Sequence, residues 1–366
     1  IKTIIFSLSC CIWYVRQLFA SEMSDYIKRV PPDPRVVLCG QSPVSSLIFG
    51  QDETYKERPV IFSGHEKGHI MEWSVVTQRA TASWHAHSHS VIWLAWTLPD
   101  KLLSQGRDGV IRLWGRDGVD TWISFGEIPC ALFLFCDSAV MHHSNHFKLA
   151  VPMNEAGHID VHVLEESTLA ALLPRKSAAE TCPMSTVSHS IKPPSATAYG
   201  MCMRIRMFIA KNSDPYLLVG FESGSLTLWN LLNGVLLNEV KAYNDSIMSM
   251  DCWVCQETNS VRCVTGSADN VLKMWLVEAD KLVQNVSISV TNPGISAISI
   301  RQDGRIFASG GWDHRVRIAS LRKFKPLAVL AYHTGSVHCT TFGPDNTLAT
   351  GSQDGYIALW DVYQNV

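Results

Sequence analysis

Along most of the chain, apolar and polar residues alternate in short runs that close on an aromatic residue, as in IRLW (111–114), LTLW (226–229) and IALW (357–360). That period of two is the signature of a strand with two unlike faces. Just upstream, Gly109, Gly224 and Gly355 stand where a hairpin must turn with positive φ, which glycine does without steric cost. Seven segments share the larger pattern of β-run, small residue, tight turn and closing strand: FSGHEKGHIMEW, LLSQGRDGVIRLW, AVPMNEAGHIDVH, LVGFESGSLTLW, VTGSADNVLKMW, ASGGWDHRVRIA and ATGSQDGYIALW. Their closing positions are Trp73, Trp114, His162, Trp229, Trp275, Ala319 and Trp360, at intervals of 41, 48, 67, 46, 44 and 41 residues. A recurrence of about 40 to 45 residues points to propeller blades. A lone blade cannot bury both faces, so blades stack around an axis and leave only short, protected edges. The pattern predicts an all-β, seven-bladed β-propeller.

These segments resemble WD repeats, with Trp360-Asp361 as the literal dipeptide. The resemblance implies a His, Ser or Thr, Asp and Trp tetrad in each blade, and two sets are complete: His87, Ser104, Asp108, Trp114 and His333, Thr350, Asp354, Trp360. Thr265 with Asp269 and Ser309 with Asp313 keep the same spacing. The third blade departs furthest, with Pro152, Ala156 and His162 at the tetrad positions. The long interval after His162 is rich in Pro, Ser, Thr and Ala, and reads as a mobile loop near 174–198. The last strand, YIALWDV, leaves no residues for an outer strand of blade seven. Arg35 to Cys39 are therefore expected to supply it and close the ring with an N-terminal strand, placing the WD-repeat propeller at 35–366.

Charge and composition narrow the function. With 31 basic and 33 acidic residues the net charge is −2, so nothing marks a protein that tracks phosphates. Eleven cysteines are unevenly spaced, and Cys252 and Cys255 form a single C-x-x-C pair. Free thiols and a reducing compartment, cytoplasm and nucleus, are expected. Residues 1–34 read as an N-terminal extension, either disordered or non-native upstream sequence. The first twenty are apolar but interrupted by Arg16, and Met23 opens a polar stretch that looks like an ordinary start; no membrane anchor is expected.

Candidate chemistry is sparse. The clusters His85, His87, His89 and His142, His143, His146 lack a carboxylate or cysteine at ligand spacing, so no metal and no cofactor are expected. No phosphate loop, nucleophile elbow or dinucleotide fingerprint occurs, and no catalytic residue is assigned.

PPDPRVVL, LLSQGRDG, TNPGI, GWDHRVRI and PLAVLAYH together are similar to the guanine-nucleotide-binding-protein β-subunit-like protein 1 family, called ASTRA-associated protein 1 in fungi. The likeness covers residues 31 to 366 and is weakest between 115 and 200. It implies a non-catalytic, monomeric co-chaperone adaptor that works with the TTT complex in maturation of phosphatidylinositol-3-kinase-related kinases, its partners being TTT components and kinase clients. It implies no nucleotide binding. The alternatives are a cullin ubiquitin-ligase substrate receptor and a generic WD-repeat signalling scaffold. A G-protein β subunit needs an N-terminal helix, which PPDP (31–34) cannot continue. The ligase motif W-D-x-R occurs as Trp312-Asp313-His314-Arg315, but in a turn rather than at a third-strand end.

Blade six carries the candidate partner-binding residues. Thr291 and Ala319 replace the loop His and closing Trp, leaving Asp313 free of its usual partners. The loop TNPGI and the turn GWDHR emerge on one face, and Asn292, Pro293, Trp312, His314 and Arg315 are expected to cluster there. Exposed Trp and Arg are the types most enriched at interface hot spots. In the purely structural alternative, Trp312 packs on the neighbouring blade and Arg315 pairs with Asp313.

Overall fold

The computed structural model describes residues 32–51, 57–117, 121–132, 135–154, 157–172, 185–194, 196–209 and 214–363. Residues 1–31, which carry most of the N-terminal extension, and Ala156 of the third blade lie outside them.

The chain enters on β1 (Val36–Cys39) and then lays down blade one as β2 (Val44–Phe49), β3 (Val60–His65), β4 (His69–Ser74) and β5 (Arg79–His85). Blade two is β6 (Val91–Trp96), β7 (Leu102–Gly106), β8 (Val110–Arg116) and β9 (Trp122–Pro129). Blade three is β10 (Ala139–His143), β11 (His146–Pro152), β12 (Ile159–Glu165) and β13 (Thr186–Ile191), with the short helix α1 (Glu166–Ala171) after β12. A second short helix, α2 (Ala196–Tyr199), leads into blade four: β14 (Cys202–Ile209), β15 (Pro215–Phe221), β16 (Ser225–Asn230) and β17 (Val235–Lys241). Blade five is β18 (Ile247–Val254), β19 (Val261–Ser267), β20 (Val271–Glu278) and β21 (Lys281–Ser289). Blade six is β22 (Ile295–Ile300), β23 (Ile306–Gly311), β24 (Val316–Ser320) and β25 (Lys325–Leu330). Blade seven holds β26 (Val337–Phe342), β27 (Leu348–Ser352) and β28 (Tyr356–Trp360).

Each blade is a four-stranded antiparallel sheet, and blade seven is completed by β1, with Val36 opposite Leu359 and Leu38 opposite Ile357. The expected closure by residues 35–39 therefore holds. Apolar packing lies between the blades: seven buried clusters form, one at each interface around the ring. Closure matters to one of them, where Val36 and Leu38 join Val44 and Leu47 of blade one. Among the described residues no helix is long and apolar enough to cross a membrane.

One expectation needs correcting. The segment 174–198 is not simply a mobile loop, because Thr186–Ile191 pairs with β12 as the outer strand of blade three. An outer strand is largely solvated, so TVSHSI holds its place by backbone hydrogen bonds and needs few apolar side chains.

Candidate functional site

The tetrads fix the face on which the site lies. In blade two the indole N–H of Trp114 donates to Ser104 Oγ at 2.8 Å, and Ser104 Oγ lies 2.7 Å from His87 Nε2. His87 Nδ1 stands 2.9 Å from Asp108 Oδ1 and 2.8 Å from the Arg112 guanidinium. Blade seven repeats the chain through Trp360, Thr350, His333 and Asp354 at 3.0, 2.8 and 3.1 Å. Burial pulls both histidines below their ordinary pKa although an aspartate opposes it. Each chain ties the loop entering a blade to the turn between that blade's second and third strands.

Blades one and five tie their entering loops with different residues, whereas the bonds seen in blades three and four tie no such loop. In blade one, Trp73 donates to Ser63 at 2.7 Å, Ser63 contacts His65 Nε2 at 2.8 Å, and His65 Nδ1 reaches the carbonyl of Ser42 at 3.0 Å. Here the histidine comes from strand β3 itself, and Gly40 makes room for it: a Cβ there would lie 2.6 Å from the imidazole. In blade five, Tyr243 stands where the loop histidine would, its hydroxyl donating to the Thr265 carbonyl at 2.8 Å and lying 2.9 Å from Thr265 Oγ1. The indole of Trp275 donates to that same Oγ1 at 2.9 Å. In blade four, Thr227 takes the Trp229 N–H at 2.8 Å. His162 of blade three is buried and contacts Ser185 at 3.0 Å.

Blade six departs from the expectation for Asp313. That carboxylate is not free: Arg317 binds both its oxygens, and Asn292 donates to Oδ2 at 3.0 Å in place of the missing histidine. Burial disfavours the ionised form, yet the hydrogen bonds from Arg317 and Asn292 outweigh it and hold the carboxyl below its usual range. The arginine paired with Asp313 is thus Arg317 and not Arg315, whose backbone N–H alone reaches Asp313, at 3.3 Å. Arg317 returns on β24 four residues after the aspartate, the position that Arg112 occupies beside Asp108. In place of a closing tryptophan, Ala319 faces Phe307 across the sheet, and Phe307 stacks on Phe324 at 5.4 Å.

The five residues Asn292, Pro293, Trp312, His314 and Arg315 are all solvent-exposed on the loop 291–294 and the turn 312–315. The turn is held firmly. Trp312 N–H donates to the Gly294 carbonyl at 2.9 Å, and Gly311 N–H to the Arg315 carbonyl at 3.0 Å. The indole lies directly on Gly294, where φ is +88° and a Cβ would fall 2.1 Å from the ring. One ring face is thereby fixed, and 43% of Trp312 remains accessible. Arg315 makes no side-chain ion pair among the described residues.

Trp312 also lines an axial cavity of about 580 Å³, whose wall comes from the innermost strands. Deeper inside, Arg206 lies 2.9 Å from Asp137 and 3.7 Å from Asp251, so those charges are mutually compensated. The mouth is the part that sequence reading missed: Arg107 and Phe135 line the same cavity, with the Arg107 guanidinium 4.3 Å from the Phe135 ring centroid. The apolar run ALFLFC at 131–136 was the available signal.

Comparison with known proteins agrees with this architecture. The family described as WD domain, G-beta repeat matches residues 284–319 and 324–361, which are blade six with the strand before it and blade seven. Guanine nucleotide-binding protein subunit beta-like protein 1 of Mus musculus is 33% identical over 344 residues, covering 91% of this chain and 97% of that protein. ASTRA-associated protein 1 of Verticillium alfalfae is 25% identical, over 91% of this chain and 93% of its own length. The protein of the same name from Schizosaccharomyces pombe is 23% identical, over 91% and 100%. With 33% identity to the mouse protein over 97% of its length, the chain belongs to the WD-repeat family of guanine nucleotide-binding protein subunit beta-like protein 1 and ASTRA-associated protein 1.

Proposed function

We propose that this propeller is a non-catalytic scaffold that binds other proteins, and that it acts as an adaptor with the TTT complex in maturation of phosphatidylinositol-3-kinase-related kinases. The observation that carries the binding role is the blade-six turn, which holds Trp312 rigidly against Gly294 while exposing it beside an uncompensated Arg315. A preorganised aromatic next to a planar cation loses little entropy on binding and buries well. The names of the fungal relatives support an association with ASTRA assemblies. Within the cavity, burial raises the Cys339 thiol well above its ordinary pKa, which keeps it protonated.

Affinity capture of the tagged full chain, read by quantitative mass spectrometry, tests this reading. TTT components are expected, and Trp312→Ala with Arg315→Glu should remove them while thermal unfolding stays nearly unchanged. Recovery of a cullin adaptor instead would favour the ligase-receptor reading. Undiminished capture by the folded double variant would rule out the blade-six turn.

A further inference from the structure

Among the described residues, the buried aspartate, glutamate, lysine and arginine side chains are Glu72, Lys101, Lys148 and Arg301. Three of them are paired. Glu72 accepts from Arg116 and Trp122, Lys101 pairs with Asp100, and Arg301 binds Asp303 through two nitrogens. Lys148, on β11 and only 7% exposed, has neither an ion pair nor a side-chain hydrogen bond among the described residues. Taking an unpaired ammonium out of water is costly, and lysine is almost never buried without a partner. Burial accordingly lowers its pKa.

The side chains around Lys148 are imidazoles. Alternate residues of β11 point to one side, and Ala150 packs into the cluster shared with blade four, so Lys148 and His146 face blade four as well. On β12, Val163 stands opposite Lys148 and Val161 opposite His189, and Val161 belongs to the same cluster, which sets Lys148 and His189 on one side of the blade. Burial, and after it the charge of Lys148, holds the pKa of His146 and of His189 below the ordinary value. Glu165, the carboxylate that the register sets on this face, is exposed at the strand end opposite His146 and makes no ion pair with Lys148. His189 leaves a second group unmet. Ser188 Oγ gives its single proton to the Val161 carbonyl at 2.9 Å, so its 3.0 Å contact with His189 Nδ1 is made by a proton on Nδ1. Nε2 of the neutral ring is then an acceptor, and it is buried without a hydrogen-bond partner. That edge of the ring faces Gly234 of blade four, where a Cβ would lie 3.2 Å from Cδ2 and 3.8 Å from Nε2.

We infer that Lys148 and His189 form a site for a small hydrogen phosphate anion, free or as a monoester, in the seam between blades three and four. An anionic oxygen meets the Lys148 ammonium, and the P–OH group donates to His189 Nε2. Hydrogen phosphate carries both the acceptor and the donor that these two groups lack. Sulfate and carboxylates, unprotonated at neutral pH, carry only the acceptor.

Calorimetric titration of the full chain with inorganic phosphate, glycerol 3-phosphate and sulfate, near neutral pH and at matched ionic strength in chloride, tests the site. Saturable phosphate binding at a single site is expected, with sulfate about tenfold weaker for want of a donor. The tighter of the two phosphates identifies the source, free ion or monoester. Lys148→Met should abolish binding while the melting temperature holds or rises, because an unpaired buried charge is removed. His189→Phe lies on a solvated outer strand, where folding tolerates it, and should weaken Kd about tenfold. That second variant decides the matter if Lys148→Met does not fold. No saturable binding of either phosphate at millimolar concentration, sulfate binding as tightly as phosphate, or an unchanged Kd in either folded variant would overturn the proposal.

Discussion

The carboxylate of Glu72, on β4 of blade one, accepts the indole N–H of Trp122, on β9 of blade two, at 2.8 Å. Its other oxygen takes Arg116 at 2.7 Å, and the guanidinium lies 5.2 Å from the Trp122 ring centroid. A buried acid thereby bolts two blades together through two donors. Glu72→Ala leaves the buried indole N–H without an acceptor and should cost about 2 kcal/mol, because Arg116 is partly solvated and can re-hydrate. Glu72→Gln keeps one acceptor and should cost about half as much. Urea unfolding of the two variants checks the order; equal loss in both would contradict it.

Ring closure sets a second expectation. Leu38 on β1 is buried at the contact of blade seven with blade one. Leu38→Ala should destabilise by about 3 kcal/mol, as for other buried leucines. The loss should appear as one cooperative transition shifted downward, since an open seam exposes β28 along its whole length. Calorimetry showing an unchanged main transition would place β1 outside the cooperative unit.

The pH dependence of stability follows from buried histidines. Burial lowers the pKa of His65, His87 and His333 in the folded protein below the ordinary value of 6.5. The unfolded chain then binds protons that the folded one refuses. This contribution is complete above about pH 6.5 and is lost as the pH falls from there toward the folded-state pKa values. Melting temperature should therefore decline between about pH 7 and pH 5, well before carboxylates titrate. A flat profile over that interval would mean that the imidazoles protonate as readily in the folded ring.

Gly294 offers a way to move Trp312 without altering it. With φ at +88° and a Cβ position 2.1 Å from the indole, Gly294→Ala must push the ring aside as well as strain the backbone. A stability loss of about 1–2 kcal/mol is expected. Partner capture should fall in step with that of Trp312→Ala, and the tryptophan fluorescence should shift. Retained capture with an altered spectrum would show that the indole's placement is irrelevant to binding.

Several features were legible in the sequence for a physical reason: they are set by local spacing. A strand of period two, a turn that needs positive φ at Gly109 or Gly355, and a histidine four residues before a strand are all written within a few positions. Hence the seven blades, the tetrads at His87 and His333, and the missing outer strand that β1 supplies could be read directly. Tertiary structure alone decided how blades one and five tie their loops. His65 and Tyr243 reach the same kind of hydroxyl from different positions or with a different side chain, and a count of residue types does not register where a polar atom ends up. The outer strand Thr186–Ile191 was hidden because a solvated strand needs backbone pairing more than apolar residues. Asp313 joined Arg317 rather than Arg315 because the returning strand, not proximity in sequence, brings the guanidinium alongside. The mouth of the channel belongs to the same class: Phe135 and Trp312 are distant in sequence, and only closing seven blades into a ring sets them at one opening.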